Sequence, residues 1–372
     1  MLPDWFWPLK SRQIRGIGML VLFICLLYKP TTVWASGGES PDGKFDAGKI
    51  IIGHLLDSYE WHILDIGKKK VSIPLPVILL YQGQPYVFSS SRLNHGQSSY
   101  KGFAIAGEGS RKGKIIRVLN DGVTPEPNAT FIIDLSITKN VLSIFINAAF
   151  ICFLFIRVGR KYSRQGSQAV PRGLQSFLEP IIVFVRDDIA LSAIGHTHYM
   201  RFLPYLLTLF FFIFFSNLIG LIPVFPGGTN VTGNISVTLV LALFTFFTTQ
   251  LFSNKSYWKH IFNTPGVPVW FKLPIPLMPI IELVGMFIKP FVLMVRLFAN
   301  ITAGHMILYG FVSLIFVLGS VRVVMGYAIS PLALVFLIFM NFIELLVAFL
   351  QAYVFTLFSA LFFGMAVPKE HH

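Results

Sequence analysis

Two stretches of the chain, Leu273–Val321 and Val323–Pro368, run for 49 and 46 residues and are apolar almost throughout. As a continuous helix each would be about 70 Å long at 1.5 Å per residue, whereas bilayer hydrocarbon is about 30 Å thick. Such helices must be strongly tilted, kinked, or partly outside the membrane. Pro290 and Pro331 are available for kinks or starts. The composition agrees with a membrane setting: of 372 residues 54% are hydrophobic and 13% charged, with a mean hydropathy of +0.69. A soluble domain carries roughly 25% charged residues. A disordered chain, a collagen-like repeat and an ordinary soluble enzyme are thereby excluded.

The few charges inside the long runs carry most of the information. Glu282, Lys289 and Arg296 lie seven residues apart, so each step turns a helix by only about −20° and all three share one stripe. Facing lipid, each would cost about 2.5–3.5 kcal/mol, so the stripe must face protein or water. Ala303 continues it with a side chain small enough for a neighbouring helix to approach. Glu282 also reads as a helix-end anchor; Arg296 is too deep for that. His305, nine residues past Arg296, falls on the opposite side of a straight helix. One residue thus suits a partner and the other an internal path, with Asn300 between the two faces. The second run holds one acid, Glu344, with Asn341 three residues before it and Gln351 seven after. A buried His and Glu on neighbouring helices can exchange protons near neutral pH. The residues therefore point to proton traffic.

The rest of the chain reads as a membrane topology. Residues 1–35 have a basic start (Lys10, Arg12, Arg15), an apolar stretch Ile17–Tyr28 and a cleavage-like Val33-Trp34-Ala35. They are expected to be a signal peptide, the alternative being an uncleaved first helix. Residues 36–139 are of ordinary polarity and are expected to form an exported, partly β soluble domain. Its Val71–Tyr81 stretch, the turn Gln82-Gly83-Gln84-Pro85 and Tyr86-Val87-Phe88 read as two strands. His54, Asp57 and His62 fit a surface helix better than a metal site. Residues 140–157 are the first membrane helix, ended by Arg157, Arg160, Lys161 and Arg164. Residues 158–201 form a basic loop, in which Leu174, Phe177, Leu178, Ile181 and Ile182 suggest an amphipathic helix at the membrane surface. Residues 202–254 make a helical hairpin, 255–272 a second basic loop, and 273–368 the two long helices. The alternation of basic and neutral loops puts the basic ones in the cytoplasm. The expected fold is an all-α polytopic membrane protein of about five membrane helices carrying that N-terminal domain.

Arg296-Leu297-Phe298-Ala299-Asn300-Ile301-Thr302-Ala303-Gly304-His305 resembles a signature of subunit a of the F-type ATP synthase membrane sector, in which Arg, Asn at +4 and Gly at +8 precede a Glu or His. Leu350-Gln351-Ala352-Tyr353-Val354-Phe355 resembles the family's second signature. Val170-Pro171 with Leu174-Gln175, and Asn217 to Pro223, match further pieces; the resemblance covers about residues 139–368. It implies a stator that guides protons through two half-channels to and from the carboxylates of a c-subunit ring, coupling proton-motive force to ATP synthesis. Arg296 would face that ring and block a direct leak. His305 and Glu344 would line the periplasmic half-channel, in positions where some family members carry Glu and His in exchange. Asn300 and Gln351 would support the polar path and the arginine, and Glu282 would lie nearer the cytoplasmic exit. The resemblance further implies a peripheral-stalk b subunit as partner, and a bacterial inner-membrane protein with a periplasmic N-terminal segment and a cytoplasmic C-terminus.

Other readings fit less well. A secondary transporter usually has paired repeats, and none is visible. A free-standing proton channel gains nothing from a deep Arg. A scaffold for the exported domain gives no reason for deep Arg296 and Glu344. A membrane hydrolase or metalloenzyme has only His196-Thr197-His198 and the terminal His371-His372 to offer. Without a Walker-type Gly-rich loop, nucleotide chemistry is expected elsewhere, and this subunit is expected to be non-catalytic, with no cofactor, metal or nucleic-acid partner. The formal net charge of +13 follows from the basic loops. Cys25 and Cys152 lie in apolar runs and offer neither a disulfide framework nor a metal site.

Overall fold

The computed structural model describes residues 57–66, 69–96, 98–107, 113–119, 124–126, 131–165, 170–222, 227–263 and 277–368. The expected signal peptide therefore lies outside the described residues. The N-terminal part is built from short antiparallel pairings. Strands β1 (Glu60–Ile66) and β2 (Lys69–Pro74) pair with each other. Strands β3 (Pro76–Tyr81) and β4 (Gln84–Ser89) form a hairpin, and the short β7 (Ile133–Asp134) pairs with the other edge of β3. β5 (Phe103–Ile105) pairs with β6 (Ile115–Arg117).

The β3–β4 turn falls at Gln82-Gly83, both at positive φ, where Gly83 relieves the strain a side chain would feel. The single strand expected over Val71–Tyr81 is broken at Leu75, which leaves β2 and β3 in different sheets. The surface helix expected over His54–His62 is not what forms. His62 lies in β1, Asp57 precedes that strand, and His54 is outside the described residues. Val77, Leu79, Tyr81 and Phe88 turn inward with Tyr59, Leu93, Phe103 and Ile115 to make a small core. Tyr59 donates to Asp134; burial, and then that carboxylate, push its phenol well above the usual range, so it remains a donor.

No linker separates this part from the helices. Leu135 and Ile137 donate to Ile78 and Pro76, and helix α1 (Lys139–Gln165) starts two residues later. Asp57 caps it from a distance: Oδ1 accepts from the Asn140 amide at 3.1 Å and Oδ2 from the Thr138 hydroxyl at 2.7 Å. α1 continues beyond residue 157 through its basic end, because backbone hydrogen bonding does not stop where hydrocarbon does.

Helix α2 (Leu174–Phe184) appears where its apolar spacing foretold and runs on through a π-helical turn, Val185–Leu191, into Ser192–Ile194. Leu178, Ile182, Val185 and Ile189 are buried in the main helical core, whereas Leu174 and Phe177 stay exposed. Within the π turn, the hydrogen bond from Arg186 holds the Asp187 carboxyl below its ordinary range. Helices α3 (Tyr199–Leu221) and α4 (Ile235–Leu251) follow, with the Tyr205 hydroxyl 3.0 Å from that of Thr245, and Asn234 caps α4 by accepting from the Ser236 amide at 3.0 Å. α5 (Lys255–Phe262) is short, with Tyr257 and Trp258 edge to face.

The two long runs become α6 (Leu277–Val321) and α7 (Val323–Ala366), separated by Arg322 alone. They are antiparallel neighbours. Gly319 and Gly326 meet at the tip, Phe311 stacks on Phe336, and Lys289 lies over Phe362 near the far end. Both prolines sit inside unbroken helix. Among the described residues four helices (α1, α3, α6 and α7) are long and apolar enough to cross a membrane. α4 has 17 residues and rises about 25 Å.

Candidate functional site

α6 separates its polar residues onto two faces, as the nine-residue step from Arg296 to His305 foretold. His305 is buried, and its Nδ1 lies 3.4 Å from Oε1 of Glu344 on α7. That is an ion-pair distance; neither carboxylate oxygen makes a hydrogen bond within the described residues. Two glycines make room for the pair. A Cβ on Gly304 would stand 3.0 Å from Glu344 Oε1, and a Cβ on Gly220 of α3 would stand 2.9 Å from the Thr229 carbonyl and 3.6 Å from His305 Nε2. Tyr309, one turn on from His305, stacks its ring 6.5 Å away. Gln351, two turns along α7 from Glu344, is buried on the same side.

A file of buried polar groups leads away from this pair, and most of it escaped the sequence reading. Asn140, Ser143 and Asn147 stand at i, i+3 and i+7 on α1, and all three are buried. Ser143 is 2.7 Å from the hydroxyl of Thr229; the Asn147 amide donates to Ser216 at 2.7 Å and to the Phe212 carbonyl at 3.2 Å. Asn217 accepts from Thr232 and donates to the Ala348 carbonyl of α7 at 3.4 Å. Gly220 follows one turn after Asn217 and touches His305. Hydroxyls and amides thus extend from the start of α1, across α3 and the 229–232 segment, to His305 and Glu344. Lys139, buried at the head of the file, is within electrostatic reach of both Asp57 and His305.

The other face is different. Arg296, Asn300 and Lys289 are exposed and Glu282 is half-buried. Among the described residues no acid lies within ion-pair distance of Arg296. Beside it on the helix, Val292 and Val295 are also exposed. Asn300 sits with Arg296 rather than with the buried file, so it is not brought to the path that holds Gln351. The structure therefore joins His305, Glu344 and Gln351 inside and leaves Arg296, Asn300 and Glu282 on the outside.

The missed members had a signal. Three polar residues at helical spacing in a 17-residue run without charge, Asn140–Ile156, form a stripe on a lipid-length helix. Lys139 offered less, since a basic residue at a helix start is ordinarily solvated. Among the described residues no group of three His, Cys, Asp or Glu side chains is placed to hold a metal.

Comparison with known proteins gives these positions a context. The family described as ATP synthase A chain matches residues 141–364, and a separate family, described as a domain of unknown function (DUF8433), matches residues 50–135. The chain is similar to ATP synthase subunit a of Chloroherpeton thalassium, at 42% identity over 245 residues covering 64% of this chain and 69% of that one. ATP synthase subunit a 2 of Prosthecochloris aestuarii is 42% identical over 244 residues, 64% of this chain and 71% of its own. ATP synthase subunit a of Myxococcus xanthus is 41% identical over 246 residues, 64% and 76% of the two chains.

Proposed function

This chain belongs to the ATP synthase subunit a family, and on that premise we propose that its buried polar file is the half-channel opening on the exported side, with Arg296 the stator charge outside it. As a family member the chain is a proton-translocating, non-catalytic subunit of the F-type membrane sector, acting in a complex with a c-subunit ring and b subunits. The observation that carries the finer reading is the contrast on α6: a titratable pair held inside the chain, and an exposed guanidinium facing out of it with no acid in ion-pair reach among the described residues.

Protons would enter beside Asn140, pass the Ser143–Thr229 and Asn147–Ser216 contacts, and reach His305 and Glu344. Among the described residues, oxygens of Asn140, Asn147 and Glu344 and the amide nitrogen of Asn230 are buried without a hydrogen bond, which favours this path, because such atoms are met by water in native proteins. Water and hydroxyls together make a relay. The His305–Glu344 pair holds a proton between the file and the ring. On the outer face Arg296 would draw a ring carboxylate into its ionised form as it passes, releasing the proton, and an unbroken positive charge there would stop a direct leak between the two half-channels. Glu282, further down the same face, would serve the cytoplasmic side.

Coupling through a rotor suits the energetics. One proton crossing 100 mV releases about 2.3 kcal/mol, too little for one ATP, so several steps must be summed. The test is ATP-driven acidification of inverted membrane vesicles with wild-type and Arg296→Ala chains, with assembly checked by co-purification. Loss of pumping in an assembled complex supports the reading. Full pumping by Arg296→Ala overturns it, and a chain that purifies alone in vesicles indifferent to ATP turns attention to a secondary transporter.

A further inference from the structure

The three-stranded sheet β4–β3–β7 is apolar on both faces. Its inner face fills the small core. Its outer face is made of cross-strand rows: Val87, Ile78 and Leu135 side by side, then Pro85, Leu80 and Ile133. Val87, Leu135 and Ile133 are 62%, 53% and 43% exposed, and Phe131, just before β7, is 75% exposed. An antiparallel sheet with one solvated face ordinarily alternates apolar inside with polar outside, and a contiguous exposed apolar patch marks something that covers it.

The position of this face identifies the cover. The sheet ends in Ile137, paired to Pro76, and α1 begins at Lys139. From Lys139 to Arg157, the first of the basic residues that end the apolar run, 18 residues rise about 27 Å, nearly the hydrocarbon thickness of about 30 Å. The outer hydrocarbon boundary therefore falls at the start of α1, and the Leu135 and Ile133 rows begin only about 7 and 13 Å along the strand from Ile137. Further along α1, Phe145, Phe150 and Phe153 are exposed, as on a helix face turned to acyl chains. No charged side chain interrupts the two rows, and at this depth the boundary between headgroups and acyl chains accepts Val, Ile, Leu and Pro without complementarity.

We propose that the outer face of the β4–β3–β7 sheet rests on the bilayer surface, with a phospholipid headgroup layer as its occupant. The sheet would then act as a monotopic foot beside α1, holding the Asp57 cap and the head of the polar file at fixed depth. This rests on α1 spanning the membrane and not on the proton-path reading.

The test uses the full chain, assembled in its complex and reconstituted in phospholipid nanodiscs. Cys25 and Cys152 are replaced by Ser, and single nitroxide labels are placed through Val87→Cys, Leu135→Cys and Phe131→Cys, with Gln84→Cys at the hairpin tip as reference. Collision with oxygen, which concentrates in lipid, is compared with collision with a water-soluble nickel chelate. The expected result is an oxygen-to-nickel ratio at Val87 and Leu135 several-fold above that at Gln84, with Phe131 also raised. A ratio equal to that at Gln84 means water covers the face and overturns the proposal. Labels shielded from both reagents mean a protein covers it, which overturns the proposal as well.

Discussion

The inner and outer faces of α6 carry the same kind of residue under opposite terms. Inside, His305 and Glu344 are enclosed by α3, α7 and the 229–232 segment, and the chain itself supplies their surroundings. Outside, Arg296 is exposed and has no acid within ion-pair distance among the described residues. In water an exposed arginine asks for nothing; in hydrocarbon it costs about 2.5–3.5 kcal/mol. Helix burial agrees: the apolar length of α3 is mostly buried, whereas that of α6 and α7 is mostly exposed. The chain therefore encloses the inner pair and leaves the outer arginine at its surface. On the function proposed above, the place opposite Arg296 is the one a c-subunit ring would take.

The largest effect is expected on the outer face. Arg296→Ala removes an exposed side chain and should leave folding and assembly intact, while ATP-driven proton pumping falls below detection. Recovery of pumping by any neutral residue at 296 would break the comparison, because the outer face would then need no charge. Next comes the inner pair. Glu344→Gln keeps the shape and abolishes titration, and proton uptake by vesicles should fall on the order of tenfold, equivalent to about 1.4 kcal/mol on the barrier. The exchange His305→Glu with Glu344→His should restore part of that loss, because the pair holds one proton between two groups. If the exchange is no better than either single change, the two residues act separately.

A smaller effect is expected where the inner site meets α3. Gly220→Val places carbon against the Thr229 carbonyl, 2.9 Å from where a Cβ would stand. Overpacking of this kind costs about 1–3 kcal/mol. The melting temperature of the purified complex and its proton uptake should both fall, whereas Gly285→Val, with no atom within 4 Å of its Cβ, should leave the melting temperature nearly unchanged.

How much of this was legible depended on whether the signal was local. The opposition of Arg296 and His305 follows from helix geometry alone, and so does α2, from the period of Leu174, Leu178 and Ile182. The meeting of His305 with Glu344 needed the antiparallel register of α6 and α7, which the Gly319–Gly326 contact sets at a tip where Arg322 alone separates them. Residue periodicity does not contain that register; the family signatures supplied the expectation. The His54–His62 reading failed because Asp57 answers to a helix start more than eighty residues away, a demand invisible in its own neighbourhood. Asn140, Ser143 and Asn147 were visible as a stripe, but their partners on α3 and in the 229–232 segment were not.

The smallest expected effect tests the junction at which the inner file begins. Asp57 accepts from the Asn140 amide, in the first turn of α1, and from the Thr138 hydroxyl just before it. Asp57→Ala leaves that amide without its acceptor and should destabilise the junction by about 1–2 kcal/mol. Asp57→Asn retains a carbonyl oxygen for the amide and should lose less. Hydrogen exchange of the Asn140 amide is the direct reading: faster in Asp57→Ala, intermediate in Asp57→Asn, and unaffected by Arg296→Ala, because the outer face has no contact with the cap. Equal exchange in all three would mean that the start of α1 is held by the core around Val141 and Ile144 rather than by its distant cap, and the inner file would then owe nothing to the β domain.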